Sequence, residues 1–133
     1  MKKVFLSVPM KGRTKEDIDK SVEAMKAVTK AYLPNEELEF INTIVEEKPP
    51  YNTAKEAVWY LGKSVQLLSQ ADYFVFVDDC YDHPGCYIEK EIAYRYGILP
   101  IDVSCEYVCP DIIKKRREEW EKPQCCGPVN DAK

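Results

Sequence analysis

The chain has 133 residues, a length that suits one compact domain, and its 45% hydrophobic and 32% charged content excludes a disordered or membrane-embedded protein. Nineteen Lys and Arg stand against 23 Asp and Glu, so the net charge is −4; a non-specific nucleic-acid binder, which gains affinity by neutralising phosphates, is not expected. No apolar run approaches the roughly 20 residues of a spanning helix, and the stretch before Pro9 is too short for a signal-peptide core, so a cytosolic protein without a membrane partner is expected.

The run VFLSV within Lys3–Val8 predicts a buried first strand that stops at Pro9. After a loop over Pro9–Arg13, Thr14 caps a helix, with Asp17 in capping-box position. Ile18, Val22, Met25, Val28 and Tyr32 form one helical face, and Pro34 and Asn35 end it. Leu38–Val45 reads as a second strand and Glu46–Thr53 as a loop. Ala54, Val58, Leu61, Val65 and Leu68 give a second helical stripe. Tyr73–Val77 (YFVFV) is short, aromatic and β-branched, a clear third strand. The polar loop Asp78–Gly85 leads to a third helix that ends at Gly97, followed by a fourth strand over Ile98–Val103. Pro110 opens a last helix to about Trp120, and residues 122–133 form a polar tail beyond a single domain over 1–121.

Strands and helices alternate, and strands this apolar are covered on both faces. The expectation is α/β: a doubly wound, flavodoxin-like or Rossmann-like parallel sheet of four to five strands. In such folds ligands lie beyond the carboxyl ends of the strands, where strand order reverses. A 2-1-3-4 order would put that point between strands one and three, with Ser7–Arg13 facing Asp78–Gly85.

Six cysteines are present, but without an export signal a disulfide framework is not expected. Only Cys105 and Cys109 have a metal-like spacing, and the sole histidine, His83, is distant in sequence. Buried or surface thiols and no metal are the expectation. Lys114–Arg117 reads as a solvated basic cluster near a helix end.

The third helix carries the anomaly. Its inward side is expected to hold Ile88, Ile92, Ala93 and Tyr96, and Glu89 borders that side. A carboxylate there is costly unless paired or used, although a first-turn position also suits the helix dipole and free backbone amides. Glu91 instead pairs with Arg95 four residues on. Asp78, Asp79 and Asp82 follow a buried strand, where carboxylates can bind a polar ligand or simply cap turns. Gly85 allows close backbone approach. His83 reads as a loop histidine or a general acid. Lys11 and Arg13 would suit a 5′-phosphate or be plain surface charges.

FLSVPMKG, together with SVQLLSQADYFVFVDD and GCYIEKEIAYRYGILPI, resembles the nucleoside 2-deoxyribosyltransferase-like superfamily, in particular its small phage and bacterial branch. The likeness spans about residues 3–103 in element order and rests on Ala71-Asp72, Gly85, Glu89, Ala93 and Gly97. It implies that Glu89 attacks the anomeric carbon of a 2-deoxyribonucleoside or nucleotide, forming a glycosyl-enzyme that transfer to a second base or hydrolysis resolves. It also implies no cofactor, assistance from Asp79 or Asp82, and a base pocket around Ser7, Pro9, Met10 and Gly12. A homo-oligomer is a further implication. Two positions depart from the pattern: Ser64 stands where the family's transferases carry Asp, and Glu91 stands where they carry Gly. Ser64 would then contact substrate through a hydroxyl, a poor proton donor near neutrality. The alternatives are a nucleotide-binding module without turnover, and a structural domain in which Glu89 is salt-bridged.

Overall fold

The computed structural model describes residues 1–50, 52–79 and 83–121. The expected tail over 122–133 and the candidate Asp82 lie outside the described residues. The elements run β1 (Lys2–Ser7), α1 (Lys15–Tyr32), β2 (Leu38–Phe40), α2 (Glu56–Leu68), β3 (Tyr73–Val77), α3 (Pro84–Arg95), β4 (Leu99–Val103), α4 (Cys105–Val108) and α5 (Pro110–Glu121). The strands form one sheet in the order β2-β1-β3-β4, and every pairing is parallel. This is the α/β arrangement expected from the alternation of elements.

Alternation along β1 divides the core. Val4 and Leu6 face a cluster with Met25 of α1, Val75, Ile101 and the buried residues of α4 and α5. Phe5 faces the opposite cluster with Leu68 of α2, Phe74, Phe76 and Ala93 of α3. Phe5 and Phe74 stack with centroids 6.0 Å apart, and Phe74 and Phe76 follow at 5.8 Å. Because successive strand residues point to opposite faces, Ser7 falls on the Phe5 side. It therefore projects toward α2 and α3, while α1 departs on the other face. A crevice opens at the carboxyl ends of β1 and β3, as expected where the chain switches faces.

Local differences from the sequence pattern have physical causes. Strand β2 is only three residues long, not the whole of Leu38–Val45. Its pairing ends after Ile41 donates to the Val4 carbonyl, and Asn42 then accepts from the Ile44 amide at 3.0 Å, turning the chain away. In α1 the deepest positions are Ser21, Met25 and Thr29, while Tyr32 is exposed. Thr14 caps this helix by accepting from the Asp17 amide. Val58 is exposed on α2, and Ile88 and Tyr96 are exposed on α3. The buried centre of α3 is instead Glu89 with Ala93, one turn apart. Helix α4 was not expected; four residues are too few to show a period. Asp78 caps its start by accepting from the Cys105 amide at 2.8 Å. Cys105 and Cys109 are buried thiols in this core.

Arg13 ties the first loop to the α1/α5 side. Its guanidinium donates to both carboxylate oxygens of Asp111 at 2.9 and 2.7 Å, to the Pro9 carbonyl at 2.8 Å and to Ser21 Oγ at 2.6 Å. The side chain is 3% exposed, so these bonds are made largely away from water. Chiefly through Arg13's hydrogen bond, the Asp111 carboxyl is held below the usual carboxylate range. Arg13 is thereby engaged as a structural fork and does not serve as the 5′-phosphate ligand entertained from sequence. Arg13→Ala should cost about 3–5 kcal/mol in urea unfolding, because Asp111 and the loop carbonyl lose their shared donor. Arg13→Lys should recover only part of that loss, since an ammonium lacks the planar fork. Equal stability of all three proteins would refute this account of the loop.

Candidate active site

The crevice is a cavity of about 620 Å³, within the range of small-molecule sites. Four stretches wall it: the end of β1 and its loop, residues 43–45 beyond β2, one face of α2, and the start of α3. On α2 the facing residues are Ala57, Tyr60, Leu61 and Ser64, a single stripe at helical spacing. On α3 they include Gly85, Cys86 and Glu89, with His83 and Pro84 at the helix entry.

Glu89 is the chemical centre. It is 7% exposed, and its Oε1 accepts a 2.7 Å hydrogen bond from Ser7 Oγ. Among the described residues no Lys or Arg is ion-paired with it. Burial pushes its carboxyl up from 4.5 to about 7, and Ser7's hydrogen bond pulls in the opposite direction. Burial dominates because one hydroxyl replaces only part of a lost hydration shell. The carboxylate thus shares a cavity with solvent-sized space and titrates near neutrality, the pattern that marks functional acids and bases.

The sequence-predicted residues divide into two groups. Ser7, Met10, Ser64, Gly85 and Glu89 line one cavity, and Lys11 and His83 join them. Pro9 and Gly12 do not line it. Pro9 is buried with its carbonyl held by Arg13, and Gly12 adopts φ 72°, where a β-carbon would meet Lys115 Nζ at 3.7 Å. Asp79 is also set apart. It pairs with Arg116 at 3.3 Å and lines a smaller cavity with Tyr87, Lys90 and Asp102. Asp79, expected to assist Glu89, thus does not line the cavity that holds Glu89: at φ 57° its carboxylate meets Arg116 of α5. Asp72, the acidic member of the Ala-Asp pair, accepts from the Lys3 amide at 2.8 Å and fastens β1 to the strand beside it. Tyr60 and residues 43–45 were missed. The α2 stripe through Leu61 and Ser64 carried a signal for Tyr60; residues 43–45 were hidden by their strand-like composition.

No family model, curated protein or solved structure matches the chain. No helix among the described residues is long and apolar enough to cross a membrane.

Glu89 should also leave a thermodynamic signature. Its native carboxyl holds a proton more tightly than the unfolded one, so stability falls as pH rises from about 4.5 through about 7. The cost of the ionised form above that window is on the order of 3 kcal/mol. Glu89→Gln, which keeps the volume and an acceptor for Ser7, should match the parent protein near pH 4 and exceed its stability near pH 8. Denaturant melts across that range check this; a variant that gains nothing at the alkaline end would refute it.

Proposed function

We propose that this protein cleaves the N-glycosidic bond of a 2-deoxyribonucleoside or its 5′-nucleotide, with Glu89 as nucleophile. One observation carries the reading: a buried carboxylate, oriented by Ser7 and without a cationic partner among the described residues, borders a cavity of nucleoside size. A salt-bridged Glu89, which a purely structural domain would require, is not found there. The resemblance of the β1 loop and the α3 start to the deoxyribosyltransferase-like superfamily points the same way, in the element order that the fold displays.

In the proposed reaction a Glu89 oxygen attacks C1′ as the bond to the base breaks, and the electron pair leaves with the base. A glycosyl ester of Glu89 forms. Water or a second base then attacks C1′ from the opposite side, and the carboxylate is released with net retention. Ser7 holds one carboxylate oxygen and leaves the other to react. Lys11 at the rim offers a cation for a 5′-phosphate, and Ser64 and Tyr60 offer hydrogen bonds to sugar or base. Cytosolic action and a homo-oligomer belong to the same proposal. Exposed Tyr94, Tyr96 and Leu99 lie along or beside the sheet edge formed by β4, and such apolar surface suits a second copy.

A module that binds nucleotides without turnover is the competing reading, favoured by the hydroxyl at Ser64 and by Glu89 being the one carboxylate lining the cavity among the described residues. Base release from a panel of deoxynucleosides and their 5′-monophosphates decides between them. Glu89→Gln should reduce release roughly 10³-fold or more, and mass spectrometry of a quenched reaction should find a deoxyribosyl adduct on the peptide containing Glu89. Calorimetric binding with no release would favour the module; equal release by both proteins would exclude Glu89 as nucleophile.

The pH dependence has a defined sign. The ionised nucleophile accumulates as pH passes about 7, so the limb of the kcat/KM profile that reports the nucleophile should climb through that value. Ser7→Ala removes a bond that favours the ionised form and should move the climb to higher pH. A midpoint unchanged by that substitution would show that Ser7 does not tune the carboxylate.

A further inference from the structure

Cleavage of a nucleoside requires two groups, a nucleophile and a donor that neutralises the departing base. Sugar-cleaving sites commonly supply both from a pair of carboxylates. The described residues do not follow that pattern. Among the described residues that line it, Glu89 is the sole acid, and Asp79 faces another cavity beside Arg116. The remaining described groups able to exchange a proton come from three of the four walls: Lys11 from the β1 loop, Tyr60 from α2, and His83 and Cys86 from the entry of α3. Imidazole alone among these side-chain types gives and takes protons readily near neutrality. Ammonium and phenol groups hold theirs too tightly, and a thiol is a weak hydrogen-bond donor.

Resting on the glycosidic reading above, we infer that His83 protonates the leaving base and later activates the incoming water. His83 is 8% exposed and stands immediately before the Pro84 that opens α3, the helix that carries Glu89. Its carbonyl accepts from the Tyr87 amide at 3.2 Å, so the first helical turn fixes its backbone. Both residues therefore belong to one rigid unit and look into one cavity. They are six residues apart in the chain, with His83 at the helix entry and Glu89 within its second turn.

The proton count closes without another reactant. In the first half, Glu89 bonds to C1′, the C1′–N bond breaks toward the base, and the imidazolium proton passes to a ring nitrogen. Neutral base, neutral His83 and a glycosyl ester result. In the second half, His83 takes a proton from water as its oxygen bonds to C1′ and the ester C–O bond breaks. Free deoxyribose, imidazolium and the Glu89 carboxylate are restored. His83 thus serves as acid and then as base.

Leaving-group dependence tests this role. The full chain and its His83→Gln variant are compared on 2′-deoxyguanosine and on 7-methyl-2′-deoxyguanosine, whose cationic base departs without an added proton. If the enzyme accepts only pyrimidines, 2′-deoxyuridine and its 5-nitro derivative take their place. In kcat/KM and in the single-turnover burst of base release, which read the reaction only up to departure of the base, His83→Gln should lose about 10²–10⁴-fold on the ordinary substrate and less than tenfold on the activated one. Equal losses on both, or no loss on either, would overturn the assignment. Should His83→Gln fail to fold by circular dichroism, His83→Asn carries the same comparison, since Asn is a good helix-capping residue. Absence of base release by the parent protein from every substrate, activated ones included, would instead bring down the glycosidic reading and this inference with it.

Discussion

The hydrogen bond between Ser7 and Glu89 joins residues 82 positions apart and gathers the rest of the site around it. It requires β1 and β3 to be neighbours, so that the carboxyl end of one meets the helix that follows the other. It requires Ser7 to have the parity of Phe5, which sends its side chain to the α2/α3 face. It also requires Glu89 to share the inward face of α3 with Ala93, whose small side chain lets the helix sit close to Phe74 and Phe76. A one-residue slip in β1 would replace this hydroxyl with a valine or leucine and leave the carboxylate without its partner.

That arrangement runs against stability. An apolar residue at position 89 would bury more surface and carry no ionisation cost, yet the chain keeps an acid there and raises its titration to the neutral range. Proteins tolerate such local conflict mainly where chemistry is performed. The opposite face shows the contrast. There Arg13, Asp111 and Ser21 satisfy one another through short, convergent bonds, so their charges and hydroxyls are spent on architecture. Two buried charged groups within one small domain thus have different standing: one is fully engaged, the other is held by a single hydroxyl.

Much of this was legible from residue order. The alternation of apolar runs with helical stripes implied the parallel sheet; the 2-1-3-4 order entered as a supposition, which the sheet matches. Glu89 stood out because a carboxylate bordered an inward face, and Ser7 entered only with the first loop, expected to face Asp78–Gly85. Finer placement was not legible. Pro9 and Gly12 sit in the right loop but turn toward α1 and α5, a direction fixed by the long-range fork of Arg13. Asp79 follows the right strand, yet its positive φ and the distant Arg116 aim it elsewhere. Helical phase also drifted: Ile88 and Tyr96 read as inward but lie outside, because Glu89 and Ala93 occupy the contact with the sheet. In each case the decisive partner was dozens of residues away, beyond the reach of local periodicity.

The Arg13 fork has a mechanical consequence for the crevice on the other side of the sheet. By clamping the Pro9 carbonyl from behind, it braces the loop that carries Met10 and Lys11, so that jaw stays put when a guest arrives. The facing jaw, residues 43–45, has left the sheet and is steadied locally by the Asn42 turn. Residues 43–45 are held by that local bond and not by such a fork, so differences in the shape of the crevice are to be sought there before the anchored loop.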